Sequence, residues 1–292
     1  MAIDMNRLTS GVDLPTSVAG EVIRLTAENS TIMAASKKIT LPGRGTTIPV
    51  MTGNASAGWV GETDEIKVSR PSFGAKDMTS YKMGVIVPFS REFIRDAKAL
   101  YDAAIALLPS ALALLFDQTV AGITAAPGSN FDTLAGAPSA VLKADTAGTD
   151  ILGAVTALAK TNAQISHWIA SPLAHAAYLG ALDVHGRPLF VPNMDKQNVG
   201  SLYGSPVLRV SETLVPGAEE DDASVIGMAG DFGTATVGQV EAVTLRVADQ
   251  ATIQDGDKSL NLFQRDMIAV RATAEVGFRV EDVNKFIRFT DK

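Results

Sequence analysis

Cysteine is absent from the 292 residues of this chain. That excludes disulfides, thiolate metal sites and thiol catalysis, so stability must come from packing or from a non-disulfide crosslink. Aromatic residues make up only 6%, and histidine occurs three times, at His167, His175 and His185. Their spacing places no two of them on one turn of a helix, as a zinc-protease pair requires, so a structural role is expected for all three. No apolar run approaches 18 residues, which argues against a membrane span. The N-terminus has neither a basic start nor an apolar signal core, so no cleaved secretion signal is expected. A dense basic block is also missing, and the net charge is −7. A protein whose task is to grip phosphates is thereby disfavoured. A container for nucleic acid is not, because a wall of low positive charge lets DNA move past it.

What is present describes a folded chain. Hydrophobic residues at 46% and charged residues at 20% allow a sizeable core in one large domain or two. The most informative segment is 46–80, TTIPVMTGNASAGWVGETDEIKVSRPSFGAKDMTS, closed by the aliphatic run KMGVIVP at 82–88. Breakers punctuate it, and Ile48, Val50, Trp59, Val60, Ile66 and Val68 offer only scattered strand signals. As a hairpin of about 15 residues per arm it would reach roughly 50 Å. A compact chain of this length has a radius of gyration of about 19 Å. Such a ribbon would stick out, and an isolated two-stranded ribbon is marginal in water. It needs a neighbour to lie on, which points to an assembly subunit.

Elsewhere the periodicities are conventional. Residues 15–29 pattern as a short amphipathic helix through Val18, Val22 and Leu25. Residues 39–50 read as strand interrupted by Pro42, Gly43 and Gly45. Ser90 is placed to cap a short helix ending near Ala97. Residues 100–122 carry the strongest helical signal. Their expected apolar face is Ala104, Leu107, Leu108, Ala111, Leu112, Leu115, Phe116 and Val120, with Gly122 as the stop. Pro109 lies inside and predicts a kink or restart. The Gly-, Ala-, Ser- and Pro-rich stretch 127–148 reads as an internal boundary.

Asp150 is then placed to cap a helix to about residue 162. Residues 165–170 form a strand, and Ser171-Pro172 opens a helix to about Gly180. Strands are expected at 207–211, 224–228 and 240–247, with the acidic stretch 217–222 as a solvated loop. Residues 267–280 alternate, with Ile268, Val270, Ala272, Ala274, Val276, Phe278 and Val280 on one face and Arg271, Thr273, Glu275 and Arg279 on the other. The fold class is α+β.

Few residues point to chemistry. Ser171, Ser201, Ser205 and Ser211 lack a nucleophile elbow, because Gly204-Ser205-Pro206 puts proline where that elbow turns into helix. Gly43-Arg44-Gly45 lacks the rest of a phosphate loop. Glu219 to Asp222 read as solvated charge, not as an acid/base pair or calcium site. No catalytic residue, metal ligand or cofactor is expected. Trp59 is either an anchor on its own subunit or an apolar knob buried by the next one. The second reading is favoured because aromatics are enriched at interface hot spots. Glu62, Asp64 and Glu65, beside Lys67 and Arg70, give the arm tip both signs of charge, suited to salt-dependent docking at about 0–1 kcal/mol per exposed pair.

These segments, in this order, resemble the major capsid proteins of tailed bacteriophages with the HK97 fold. The resemblance rests on the arm with GWVGE at 58–62, PFSREFIRDA at 88–97 and the helix after it, HWIASPLAHAAYLGALDVHGRPLFVPN at 167–193, GSLYGSPVLRVSETL at 200–214, GDF at 230–232, and FQRDMIAVRATAEVGFRVEDVNKFIRF at 263–289. It covers most of residues 12–290. It implies an N-terminal arm and short helix at 1–38, a strand and extended E-loop at 39–88 (the loop at about 46–80), and a peripheral domain with the spine helix at 89–126. A mainly axial domain at 127–240 and a return to the peripheral domain at 241–292 complete the expected division.

By that resemblance the function is a non-enzymatic structural one. The chain would self-assemble as hexamers and pentamers into an icosahedral shell, enclosing double-stranded DNA without sequence-specific binding. The implied partners are the protein itself and a portal, with either a separate scaffolding protein or none, a decoration protein left open, and no membrane. The implied location is the virion, after assembly in the bacterial host cytoplasm. The family-like helix begins near residue 15, so no cleaved N-terminal scaffolding region is expected in this numbering. Some relatives weld subunits by an isopeptide bond from an arm lysine to a neighbouring asparagine. Lys67 could match that lysine, but the asparagine and the assisting glutamate have no matched residue. The alternative within the same fold is an encapsulin-like compartment enclosing enzymes.

Overall fold

The computed structural model of the chain describes residues 30–42, 45–53, 55–62, 65–183, 185–193, 198–210, 223–240, 244–255 and 258–292. The expected helix at 15–29 and the acidic loop at 217–222 lie outside them. Ser30 accepts from the Met33 amide and so caps the five-residue helix α1, Thr31–Ala35. Strand β1, Lys37–Thr40, follows. The arm is built from β2, Thr46–Gly53, and β3, Ser72–Met78. After it run β4, Tyr81–Ser90, and α2, Arg91–Asp96, capped by Ser90 at the Phe93 amide as expected.

The long helix α3, Lys98–Ala121, stops at Gly122, whose left-handed φ of 87° returns its amide to the carbonyls of Gln118 and Thr119. A side chain is disfavoured there, because only glycine adopts this conformation without strain. Pro109 does not restart the helix. Proline removes only one ladder bond, and Pro109 is buried, so the helix runs on through it from Lys98 to Ala121. The buried face is also narrower than the sequence suggests. Leu108, Leu112, Ala113, Phe116 and Val120 are buried, whereas Leu107, Ala111 and Leu115 face outward. By length and composition α3 could cross a membrane. Its Leu108, Leu112, Phe116 and Val120 serve the core, and it carries the buried carboxylate Asp117.

The stretch read as a boundary is partly packed, with Pro127, Ser129 and residues 143–146 exposed. Phe131, Leu134 and Ala137 enter the core, and β5, Ser139–Val141, joins a sheet. Helix α4, Ala147–Lys160, begins three residues before Asp150. Asp150 braces the approach to the helix, its Oδ2 accepting from the Lys143 amide at 3.1 Å and the Thr146 hydroxyl at 2.8 Å. Then come β6, His167–Ala170, and α5, Pro172–Gly180, capped by Ser171. Four further strands are β7, Phe190–Pro192; β8, Asn198–Leu202; β9, Ser205–Arg209; and β10, Val225–Gly230. Strand β11, Ala235–Gln239, precedes β12, Thr244–Ala248, where a single strand was expected at 240–247. The hairpin of β13, Thr252–Asp255, and β14, Lys258–Asn261, leads into β15, Met267–Val280, and β16, Phe286–Thr290.

Strand β15 organises the first sheet. Its alternation holds as read: the residues from Val270 to Val280 at even positions are buried, and Arg271 is exposed. One edge pairs with β4 from Ser90 at Met267 to Tyr81 at Val276. The other edge carries β12 and then β11, with β1 parallel beyond β11. Helix α3 covers one face, through Leu108 and Leu112 against Val270, Ala272 and Ala274. The second sheet runs β5–β16–β10–β6–β9–β8–β7, with Trp168, Tyr178 and Phe289 buried at 0% exposure in the core it shares with α4 and α5. Strand β16 thus crosses to this sheet, away from β15. Both sheets feed one further cluster, where Ile169 and Met228 meet Val237, Phe278 and Phe116.

Candidate assembly arm and its root

Strands β2 and β3 pair antiparallel from Thr46 opposite Met78 to Gly53 opposite Ser72, with a register slip after Met51. The ladder is shorter than the hairpin expected from the sequence. Residues 55–62 and 65–71 beyond it belong to no strand, because Gly58, Gly61 and Pro71 interrupt regular pairing. Ser69 ties the neck of this tip, its Oγ accepting from the Ser56 amide at 2.8 Å. Trp59 is 106% exposed, Ile66 79% and Val68 82%. Glu62, Glu65, Lys67 and Arg70 are exposed alongside them. Asp64 lies outside the described residues. Large apolar side chains wholly in water are unfavourable, at about 25 cal/mol per Å², so the tip is a surface awaiting cover.

The root of the arm is held by a polar clamp that sequence reading missed. The Arg279 guanidinium is 11% exposed and donates in several directions. Its Nε and Nη2 reach the Asp77 carbonyl at 2.8 and 2.6 Å, and Nη2 also reaches Asn130 Oδ1 at 2.8 Å. Nη1 pairs with Asp132 Oδ1 at 2.7 Å. The other Asp132 oxygen accepts from the Val280 amide at 3.0 Å and faces Lys76 Nζ at 3.4 Å. Lys76 donates in turn to the Val280 carbonyl at 2.6 Å. A planar fork with fixed donors sets direction as well as distance. The clamp therefore fixes how β3 leaves the body. The only signal in the sequence was an arginine on the polar face of a strand; its partners are too distant in the chain to be read there.

A second buried ionisable group sits on α3. Asp117 accepts from the Ser30 hydroxyl at 2.6 Å and from the Thr31 amide at 3.1 Å, so it pins the start of α1 to the long helix. Burial pushes its carboxyl up to about 7, against these hydrogen bonds, which favour the charged form.

The candidate chemical residues are not brought together. His167 packs edge-on to Phe232 and His175 edge-on to Phe190, and burial lowers the pKa of both. His185 is exposed on a turn. Ser171 caps α5, Ser205 donates to the Ile165 carbonyl at 2.7 Å, and Ser201 lies on β8. Ser211 lies outside the described residues. No group of three or more potential metal ligands occurs among the described residues.

Comparison with known proteins supplies the context. The Phage capsid family matches residues 10–291 of this chain. The chain is similar to the probable major capsid protein gp17 of Mycobacterium phage L5, at 26% identity over 283 residues, covering 90% of this chain and 84% of that one. Among solved structures it is similar to a chain from Gordonia phage Cozz, with a TM-score of 0.68, 23% identity, and coverage of 90% of this chain and 86% of that one. It is also similar to a chain from Mycobacterium phage Ogopogo, with a TM-score of 0.70, 15% identity, and coverage of 90% and 92%.

Proposed function

Since the chain belongs to the phage capsid family, we propose that it builds a closed shell by laying its arm on a neighbouring copy. It is a major capsid protein with the HK97-like α+β fold, a structural component of the virion. The finer reading is that the shell is icosahedral, tiled by hexamers and pentamers, and filled with double-stranded DNA. Its net charge of −7 suits a lumen that holds DNA without gripping it. The first sheet with α3 serves as the peripheral domain and the second sheet as the axial one. A portal, a separate scaffolding protein and a decoration protein complete the proposed partners, with assembly in the host cytoplasm.

One observation carries the arm's role: Trp59 stands in solvent at the end of a ribbon whose root is rigidly clamped. Glu62, Asp64, Glu65, Lys67 and Arg70 then supply salt-dependent docking around that knob. Many modest contacts, each repeated by symmetry, hold a subunit at several edges. Lys67 remains the candidate for an isopeptide weld. Covalent multimers on a denaturing gel of purified particles would reveal it, and monomers alone would exclude it.

Electron microscopy of the protein expressed alone tests the function. Particles or capsomer sheets are expected, and a lasting monomer at high concentration overturns the reading. The two tryptophans add a solution readout. Trp168 is fully buried in the subunit, so a blue shift of emission on assembly reports Trp59 alone.

A further inference from the structure

Helix α1 sits as a peg where the two sheets meet. Ile32 and Met33 are wholly buried in the cluster that joins Phe116, Val237 and Phe278 to Ile169 and Met228. Polar contacts reach both sides. Toward the first sheet, Asp117 on α3 accepts from the Ser30 hydroxyl and the Thr31 amide, and the Gln239 amide on β11 donates to the Met33 sulfur at 3.7 Å. Toward the second, the Thr31 hydroxyl donates to the Arg209 carbonyl at the end of β9, at 3.3 Å. Five residues are too few for a helix to hold itself. The peg therefore stays in place through these contacts, and one of them can ionise.

Among the described residues no cation faces that group. Asp117 is the one ionisable residue between 103 and 121, and α1 has none. Strand β6 brings His167, which is engaged edge-on with Phe232. Strand β9 brings Arg209, and β1 brings Lys37 and Lys38, all three exposed. A carboxyl sealed from water without a cation keeps its proton. The geometry suits that form. Asp117 Oδ1 and Ser30 Oγ are 2.6 Å apart, so the acid proton can sit in that bond while Oδ2 accepts from the Thr31 amide. Ser30 Oγ still accepts from the Met33 amide and caps the helix. Once ionised, the carboxylate is better solvated by water than by the seam between the sheets. The Ser36 hydroxyl at the other end of the peg is buried without a hydrogen-bond partner, a second polar group that gains by release.

We propose that Asp117, Ser30 and Thr31 form a proton-operated latch: with the proton in place α1 stays docked between the sheets, and without it α1 withdraws from α3 while both sheets remain folded. The latch belongs to the single subunit and does not depend on assembly.

Hydrogen exchange of the unassembled subunit, followed by mass spectrometry and corrected for the intrinsic pH dependence of amides, measures the release. Withdrawn into water, Asp117 titrates at its ordinary value of 3.8, against about 7 when docked. Opening is thus rarest at low pH, and should rise about 50-fold from pH 5 to 7 and less than about twofold more to pH 8. The amides of Met33, Ala34 and Ser36, all bonded within the peg, carry the signal, with α4 and β15 as references. Asp117→Asn keeps a donor and an acceptor where the protonated acid has them, so protection of 31–36 should stay level across this range. Ser30→Ala removes the shared hydroxyl and should speed exchange of 31–36 at pH 5 at least about tenfold, with α4 unmoved. An equal loss of protection in α4 and β15 overturns the proposal, since the whole fold would then be opening. It is also overturned by exchange of 31–36 that changes less than about fivefold from pH 5 to 7, that keeps its pH dependence in the Asp117→Asn protein, or that is unmoved in Ser30→Ala.

Discussion

Asp117 and Arg279 place ionisable groups where the fold has little water to offer, and each ties together segments far apart in the chain. The folded chain holds the Asp117 proton up to about pH 7, above the ordinary value of 3.8. Between those limits the unfolded chain releases a proton that the folded chain keeps. Stability from this group is therefore complete below about pH 4 and is lost as pH rises to about 7, by an amount on the order of 4 kcal/mol. Asp117→Asn should flatten that part of the profile, measured as denaturant midpoints of the unassembled subunit from pH 5 to 8; a variant profile that still falls like the original would refute the assignment. Arg279→Met leaves the Asp132 carboxylate without its main partner, at a cost of about 3 kcal/mol. Arg279→Lys should recover little, because one ammonium cannot span Asp77, Asn130 and Asp132 together. Limited proteolysis should cut the arm faster in both variants. The sequence hints at Asp117, a lone carboxylate amid Leu112, Phe116 and Val120 on an apolar helix. It hides the Arg279 clamp, whose partners lie 147 and 202 residues away.

Elements with a local signature were readable, and those defined by a distant partner were not. Strand β15 declares its two faces by alternation, and Ser90 and Ser171 declare helix starts through caps that need only three residues. Strand β11 was missed because its place depends on β1 and β15, which are remote in sequence. The outward turn of Leu107 and Leu115 was hidden for a related reason. An apolar helix looks the same to the reader whether its second flank meets a core or a neighbouring molecule. Pro109 is a local breaker, yet the helix does not restart there, since one lost ladder bond is outweighed by the turns on either side. At the far end of α3, Gly122 combines φ of 87° with close approach to Ala135, whose backbone N would lie 2.9 Å from an added Cβ. Gly122→Ala should cost at least about 2 kcal/mol, read as a lowered urea midpoint with an unchanged slope. A neutral result would show that the loop after α3 yields without loss.

For the whole molecule, stability of the subunit and stability of the assembly should separate at Trp59. The side chain touches nothing that it could stabilise within its own chain, so Trp59→Ala should leave the melting of the unassembled subunit within about 0.5 kcal/mol of the original. A buried aromatic anchor at an interface contributes about 2 kcal/mol or more. Loss of that amount at each arm contact raises the concentration needed for assembly about 30-fold, on the scale where 1.4 kcal/mol is tenfold. Light scattering against concentration, with electron microscopy of the scattering fractions, measures this threshold. Raised salt should add to the shift in both proteins, because the exposed charges at Glu62, Glu65, Lys67 and Arg70 are screened equally in each. An unmoved threshold in the Trp59 variant would mean that the ribbon is not what joins one copy to the next. A lowered melting temperature of the lone subunit would mean instead that Trp59 anchors its own chain.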